Sequence, residues 1–225
     1  MKFHYQHLLE ILKKTPTKNE LSQALFQLGH ENEIEGEIFD LELTPNRGDC
    51  LSLLGLARDL NFFFEFKNNL NIYEGQLKDF NFDFINNEPN ACPEINFLYL
   101  EIENEVNSYK DYLESYFLDL PINKVNFFTD ISNYVSYELG QPTHCYDFSS
   151  IQGTLELKKI GKKKDFITLQ DEKITIDEDD LVFCINDEIV NLAGIMGGKS
   201  TRCNDKTTKI LLECAHFRPN EILGK

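Results

Sequence analysis

The sequence predicts an α+β fold: a small N-terminal module of helices and strand, then a domain of a few helices followed by a mostly antiparallel sheet. Three observations carry this. Apolar residues recur at helical spacing in two blocks within the first 30 residues, an asparagine-rich stretch with little periodicity runs from about Lys67 to Cys92, and short β-type runs at close spacing begin at Thr154. Phe3 to Leu12 and Leu21 to Leu28 read as helices. Thr17 is placed to cap the second, with Glu20 three residues later completing a capping box and Gly29 ending it. Glu37 to Leu43 alternates apolar and acidic residues, as a half-buried strand does, and the turn Thr44-Pro45-Asn46-Arg47-Gly48-Asp49 follows. A helix from about Cys50 to Phe66 comes next, with Leu51, Leu54, Leu56 and Leu60 facing the core and the run Phe62-Phe63-Phe64-Phe66 serving as packing.

The stretch 67–93, with Asn68, Asn69, Asn71, Asn81, Asn86, Asn87 and Asn90, reads as a linker holding at most one short element. Phe97 to Ile102 is a strand, and Tyr109 to Phe117 and Phe128 to Leu139 are helices. Asp130 or Thr129 opens the last of these; Gly140 closes it, with Pro142 just beyond. The β runs are Leu155 to Ile160, Phe166 to Leu169, Lys173 to Ile176, Leu181 to Ile185, Ile189 to Leu192 and Ile210 to Leu212, with Gln170-Asp171-Glu172 as a hairpin turn. The boundaries expected are therefore 1–66, 67–93 and 94–225, without internal repeats.

Composition excludes several classes. Of 225 residues 41% are hydrophobic, enough for a real core, yet no run reaches the roughly 18 to 20 apolar residues of a membrane helix and the first residues lack a signal peptide's apolar block. The chain reads as soluble and unexported. Twenty-two basic against thirty-eight acidic residues give −16, so the field repels polyanions and a stand-alone RNA-gripping module is not expected. Six scattered cysteines, without a C-x-x-C pair or a second His-containing cluster, read as buried thiols and not as a zinc site; no metal ligands are assigned.

Three stretches carry possible chemistry. The first is Asp130-Ile131-Ser132-Asn133-Tyr134, followed by His144 in Gly140-Gln141-Pro142-Thr143-His144-Cys145-Tyr146-Asp147. Ser132 and Asn133 lie on the helix and His144 on the loop after the Gly-Gln-Pro break. A histidine there either shuttles a proton or positions a water near neutral pH, or is a structural side chain bonded to the loop. The second is Ala193-Gly194-Ile195-Met196-Gly197-Gly198, whose glycines either let backbone approach a ligand or form a plain tight turn. It lacks the first glycine of a phosphate loop, so ATP binding by this chain is not expected. The third is Leu211-Leu212-Glu213-Cys214-Ala215, in which Glu213 reaches solvent, pairs with His144 or Arg218, or reads a ligand hydroxyl. No Gly-x-Ser-x-Gly elbow is present, and no covalent nucleophile is assigned.

In this order, Asp40 to Asp59, Asp130 to Asp147, Ala193 to Gly198 and Leu212 to Phe217 resemble the β subunit of bacterial phenylalanyl-tRNA synthetase, over its N-terminal module and editing domain. The resemblance implies a cytoplasmic α2β2 ligase in which this domain hydrolyses tyrosine mischarged onto the phenylalanine tRNA. It implies as partners the α subunit and the aminoacyl end of that tRNA, with no DNA and no membrane. No cofactor is implied for this chain; ATP and magnesium belong to the full synthetase. Carried over by position, His144 is the editing histidine, Ser132 and Asn133 hold the α-amino group or ribose, Glu213 looks at the tyrosine hydroxyl, and Gly194, Gly197 and Gly198 line the pocket. The alternative is a non-editing fragment that packs with the α subunit; a free-standing editing factor is weaker, since nothing in a chain of −16 grips tRNA. Departures are the lack of the usual oligonucleotide-binding-type insertion between Gly29 and Asp40, Asn123-Lys124 in place of Arg-Pro, and Ser132 in place of Thr. The chain also stops at Gly224-Lys225, before the family's T-x-A-S segment, so the expectation is a piece of a longer subunit, with a short natural paralogue as the other option.

Overall fold

The structure is a computed structural model and describes residues 1–67, 75–104, 106, 108–120 and 122–224; Asn68, Asn69 and Asn71 of the asparagine-rich stretch lie outside them. The helices are α1 (Tyr5–Ile11), α2 (Lys18–Gln27), α3 (Leu53–Phe64), α4 (Asp111–Asp119), α5 (Phe127–Leu139) and α6 (Pro219–Ile222). The strands are β1 (Lys2–His4), β2 (Glu31–Glu35), β3 (Ile38–Glu42), β4 (Phe84–Asn86), β5 (Glu94–Glu101), β6 (His144–Asp147) and β7 (Leu155–Lys159). They continue as β8 (Lys164–Ile167), β9 (Lys173–Ile176), β10 (Leu181–Ile185), β11 (Glu188–Leu192), β12 (Met196–Gly197) and β13 (Lys209–His216). The fold is α+β, and no helix among the described residues is long and apolar enough to cross a membrane.

Two compact units form, and they do not follow the boundaries 1–66, 67–93 and 94–225. The first joins Met1–Gln76 to Ser108–Val125 and Asp130–Pro142; the second holds Leu77–Asn107, Asn126–Thr129 and Thr143–Lys225. Side chains far apart in sequence explain the first grouping. His7 Nδ1 lies 3.0 Å from Tyr137 Oη, and Tyr137 packs on the same core as Phe3, Leu8, Leu25, Phe39 and Leu60.

In the first unit, β1, β3 and β2 form an antiparallel sheet in that order. Lys2–His4 is strand, not the start of a helix, because Phe3 pairs with Phe39 across β1 and β3 and stacks on it at 5.1 Å. The capping box on α2 forms as expected: Thr17 Oγ1 accepts from the Glu20 backbone N–H, and Glu20 Oε2 accepts from the Thr17 backbone N–H at 2.8 Å. The α3 helix begins at Leu53, not Cys50, since Ser52 accepts from the Gly55 N–H at 3.0 Å and caps it. Leu51, left outside the helix, is exposed, and so is Phe62, whereas Phe63, Phe64 and Phe66 pack on the core.

In the second unit, β12-β11-β10-β7-β4 form one sheet and β5-β13-β6 another, with β8 and β9 as a separate pair. Among the described residues every pairing in this unit is antiparallel except β4 with β7, and β4 is the one strand among the described residues of the asparagine-rich stretch. Alternation along β13 sends Leu211, Glu213 and Ala215 to one face and Ile210 and Leu212 to the other. The first face meets the core built by Tyr146, Leu157, Phe183 and Val190; the second meets Phe128, Cys145 and Cys203.

Candidate functional site

A buried polar cluster sits where the two larger sheets of the second unit share a core. The β6–β13 ladder sets His144 opposite Glu213, so His144 is the first residue of a strand and not a loop residue. The Gly140 and Pro142 break ends α5, but pairing with β13 then takes hold of the chain at once. Tyr146, two residues on, shares the face of His144, and the rings meet edge to face at 4.4 Å between centroids. Its phenol donates to Glu213 Oε2 at 2.7 Å and accepts from Asn191 Nδ2 on β11, also at 2.7 Å. Glu213 therefore reaches neither solvent nor Arg218, and no hydrogen bond or ion pair joins it to His144 among the described residues. Tyr146, Asn191 and Glu213 are all buried.

Burial sets the electrostatics. It pushes the Glu213 carboxyl up to about 7, against the Tyr146 hydrogen bond, which holds it down. It pushes His144 down to about 4, so the imidazole is neutral at pH 7, and its Nε2 is buried with no hydrogen-bond partner among the described residues. Tyr146 is held well above its ordinary value by burial and by the Glu213 charge, so it remains a donor. The cluster thus presents a titrating carboxyl, already holding one phenol, on the same sheet face as a neutral imidazole with an unused nitrogen.

The glycines pack against the chain's own atoms. A Cβ on Gly197 would lie 2.3 Å from His144 Cε1 and 2.8 Å from Leu169 Cδ1, so this glycine makes the room in which the imidazole sits. At Gly198 the near neighbour is the Val190 carbonyl oxygen, at 2.5 Å, and at Gly194, with φ +71°, it is the Phe217 ring at 2.8 Å. Ser132 and Asn133 belong to the first compact unit, Ser132 buried and Asn133 exposed, whereas His144, Glu213 and all three glycines belong to the second. Sequence reasoning missed Tyr146 and Asn191. The signal for Tyr146 was its spacing of two from His144, usable only once 144–147 is known to be strand. It also found no metal ligands, while the fold of the first unit brings His4, His7 and Asp119 together, with ligand atoms all within 4.8 Å of one another.

Residues 91–225 match the B3/4 domain family, and they include every residue of the cluster. The chain belongs to that family. Similar proteins are β subunits of phenylalanine–tRNA ligase. That of Psychrobacter arcticus is 31% identical over 202 residues, covering 85% of this chain and 24% of that protein. That of Aquifex aeolicus is 34% identical over 197 residues, covering 85% and 25%, and that of Acinetobacter baylyi 27% over 221 residues, covering 97% and 27%. A solved N-terminal fragment of the β subunit from Pyrococcus horikoshii has a TM-score of 0.46 at 14% identity, covering 99% of this chain and 69% of that one, a likeness too slight to argue from. The chain thus resembles the bacterial β subunit, as its motifs imply, and spans about a quarter of the length of the curated relatives it matches.

Proposed function

We propose that this B3/4 domain acts within a phenylalanine–tRNA ligase β subunit as an ester hydrolase that clears tyrosine from the phenylalanine tRNA. The observation that carries the reading is the phenol on Glu213: the chain's own Tyr146 donates to this buried carboxylate at 2.7 Å, on the sheet face that also holds His144. A carboxylate accepts more than one donor, so a tyrosyl substrate has an acceptor that phenylalanine cannot use. Such a second site answers a real need, because a pocket shaped for an apolar ring rejects an added hydroxyl only weakly.

In this reading Glu213 selects and His144 places. The unpartnered Nε2 accepts a hydrogen bond from a water and aims its lone pair at the ester carbonyl carbon. A C–O bond forms to the water oxygen, the ester bond to the ribose oxygen breaks, and the ribose leaves as a hydroxyl with the water's proton. No covalent enzyme intermediate is needed, since an aminoacyl ester is already labile. The α subunit and the rest of the tRNA would supply the grip that a net charge of −16 withholds. The full synthetase is the cytoplasmic heterotetramer that uses ATP and magnesium; this chain does the proofreading.

A second reading is a scaffold that packs with the α subunit, and one observation favours it: Tyr146 already completes the polar cluster without a substrate. Deacylation of tyrosyl- and phenylalanyl-tRNA, both on the phenylalanine tRNA, separates the two. Editing predicts faster loss of the tyrosyl ester, a preference abolished in Glu213→Gln and a rate lowered for both esters in His144→Ala. No hydrolysis by the unaltered chain, alone or with the α subunit and a C-terminal extension added, would leave the scaffold reading standing.

A further inference from the structure

The first compact unit holds a cluster that the editing chemistry does not use. His4 ends β1 at the N-cap position of α1, where its side chain makes no capping hydrogen bond, and His7 follows at a spacing of three, so both imidazoles reach the same side of that helix, with ring centroids 5.0 Å apart. Asp119, the last residue of α4, meets them there: His7 Nε2 is 3.0 Å and His4 Nδ1 3.9 Å from its Oδ2. His4 Nδ1 is buried and has no hydrogen-bond partner among the described residues. His7 is the opposite case, since Tyr137 Oη sits 3.0 Å from its Nδ1, which fixes the ring and leaves Nε2 turned to Asp119. Anchoring the far nitrogen of a histidine in this way is how proteins orient a metal-ligating imidazole.

We propose that His4, His7 and Asp119 bind a divalent transition cation, zinc being the best fit. Two imidazoles and one carboxylate are the donor set that borderline cations prefer over magnesium or calcium. Ligand atoms about 2.0 to 2.2 Å from a tetrahedral ion lie roughly 3.3 Å from one another. The observed 3.0 and 3.9 Å bracket that spacing, and the third separation stays within 4.8 Å, so small ring adjustments close the site. The histidine side chains are 15% and 12% exposed and Asp119 34%, which leaves an open side on which water completes the coordination. Bound there, the ion ties the start of the chain to a helix more than a hundred residues away in sequence. The other cluster of metal-ligating side chains among the described residues, His30, Cys50 and Asp59, has its cation already: Arg47 Nη2 lies 2.7 Å from Cys50 Sγ and pairs with Asp59, and burial pushes the Cys50 thiol up to about 12.

The test is calorimetric titration of the full chain with zinc chloride at pH 7, beside His4→Gln and Asp119→Asn, and a parallel titration with cobalt(II) followed by visible absorption. The expected result is one zinc per chain, bound at least roughly tenfold more weakly by each variant. It includes the intense visible bands of four-coordinate cobalt in the unaltered chain and their loss in Asp119→Asn, and a melting temperature raised by zinc in the unaltered chain alone. Absence of stoichiometric zinc binding, or binding unchanged in either variant, overturns the site. Should Asp119→Asn fail to fold by circular dichroism, His4→Gln decides the matter alone, because His4 Nδ1 gives up no hydrogen bond when it is replaced.

Discussion

Replacing Glu213 by glutamine removes a charge that the fold holds at a cost, and the size of that cost follows from its acidity. A glutamate of ordinary value 4.5 raised to about 7 by burial is stabilised in its protonated form. At about 1.4 kcal/mol per tenfold change in proton affinity, the gap corresponds to roughly 3 kcal/mol. The folded-state value lies above the unfolded one, so the folded state holds the proton more tightly. The stabilisation is fully present below about 4.5 and is lost as the pH rises to about 7. Glutamine keeps an acceptor for the Tyr146 phenol and never ionises. Between pH 5 and pH 8 the stability of Glu213→Gln relative to the unaltered protein is therefore expected to improve by about 2–3 kcal/mol. His144, depressed to about 4, gives the opposite slope, with stability lost as the pH falls from 6.5 towards 4; it is common to both proteins and cancels in the comparison. Urea unfolding of both proteins at the two pH values, followed by circular dichroism, measures the change. A change below about 1 kcal/mol would refute the burial argument and with it the assignment of a titrating carboxyl to this position.

The same geometry carries four further outcomes. Tyr146→Phe removes the donor to Glu213 and the acceptor of Asn191, and should cost about 1–3 kcal/mol in urea unfolding; losing the bond that holds Glu213 down should also move any pH–rate midpoint upward. Gly197→Ala puts a methyl 2.3 Å from His144 Cε1 and should lower tyrosyl-tRNA deacylation at least tenfold with the circular dichroism spectrum unchanged. Gly198→Ala, 2.5 Å from the Val190 carbonyl oxygen, should instead lower stability by about 1–3 kcal/mol, read from the urea midpoint. The rate of tyrosyl-ester hydrolysis should rise with a midpoint near 7 as Glu213 ionises and show no limb near 6.5 from His144; phenylalanyl-ester hydrolysis, which makes no use of the carboxylate, should lack the rise.

What the sequence made legible was local. The Thr17–Glu20 capping box and the alternation of β3 depend on neighbours within a few residues, and both formed as read. The β2 strand was hidden because Glu31-Asn32-Glu33-Ile34-Glu35 has one apolar residue; it exists as the partner of β3. His144 was read as loop for a related reason: Gly140 and Pro142 are strong local breaks, whereas its partner Glu213 on β13 lies 69 residues on (213 − 144). Period-two alternation placed Glu213 with Leu211, but only the packing of one sheet on another shows that a tyrosine, not solvent, meets the carboxyl. The His4–His7–Asp119 cluster escaped for the same cause, its third member arriving from 112 residues away.

The two ionisable groups facing each other across β6 and β13 are ordered opposite to their chemistry. In water a histidine of 6.5 and a glutamate of 4.5 are both charged between those values and attract; here burial sends them to about 4 and about 7, so over the same range both are neutral. Burial keeps them so, against the Tyr146 hydroxyl, which favours the Glu213 anion; the Tyr146 ring lies edge-on to the imidazole, and neither group has an ionic partner among the described residues that would fix its charge. A plain structural pairing would have been stronger as an ion pair with mutual hydrogen bonds, or as apolar packing, since a buried carboxyl left to titrate weakens the fold at physiological pH. Held apart, the groups keep distinct capacities: a nitrogen that accepts at any pH above about 5, and a carboxylate whose hold on a phenol switches on near neutrality. Environments that drive two titratable groups apart are the usual mark of divided roles. Such a division fits the proposed reading, in which His144 would take the water and Glu213 the hydroxyl of a tyrosyl ester.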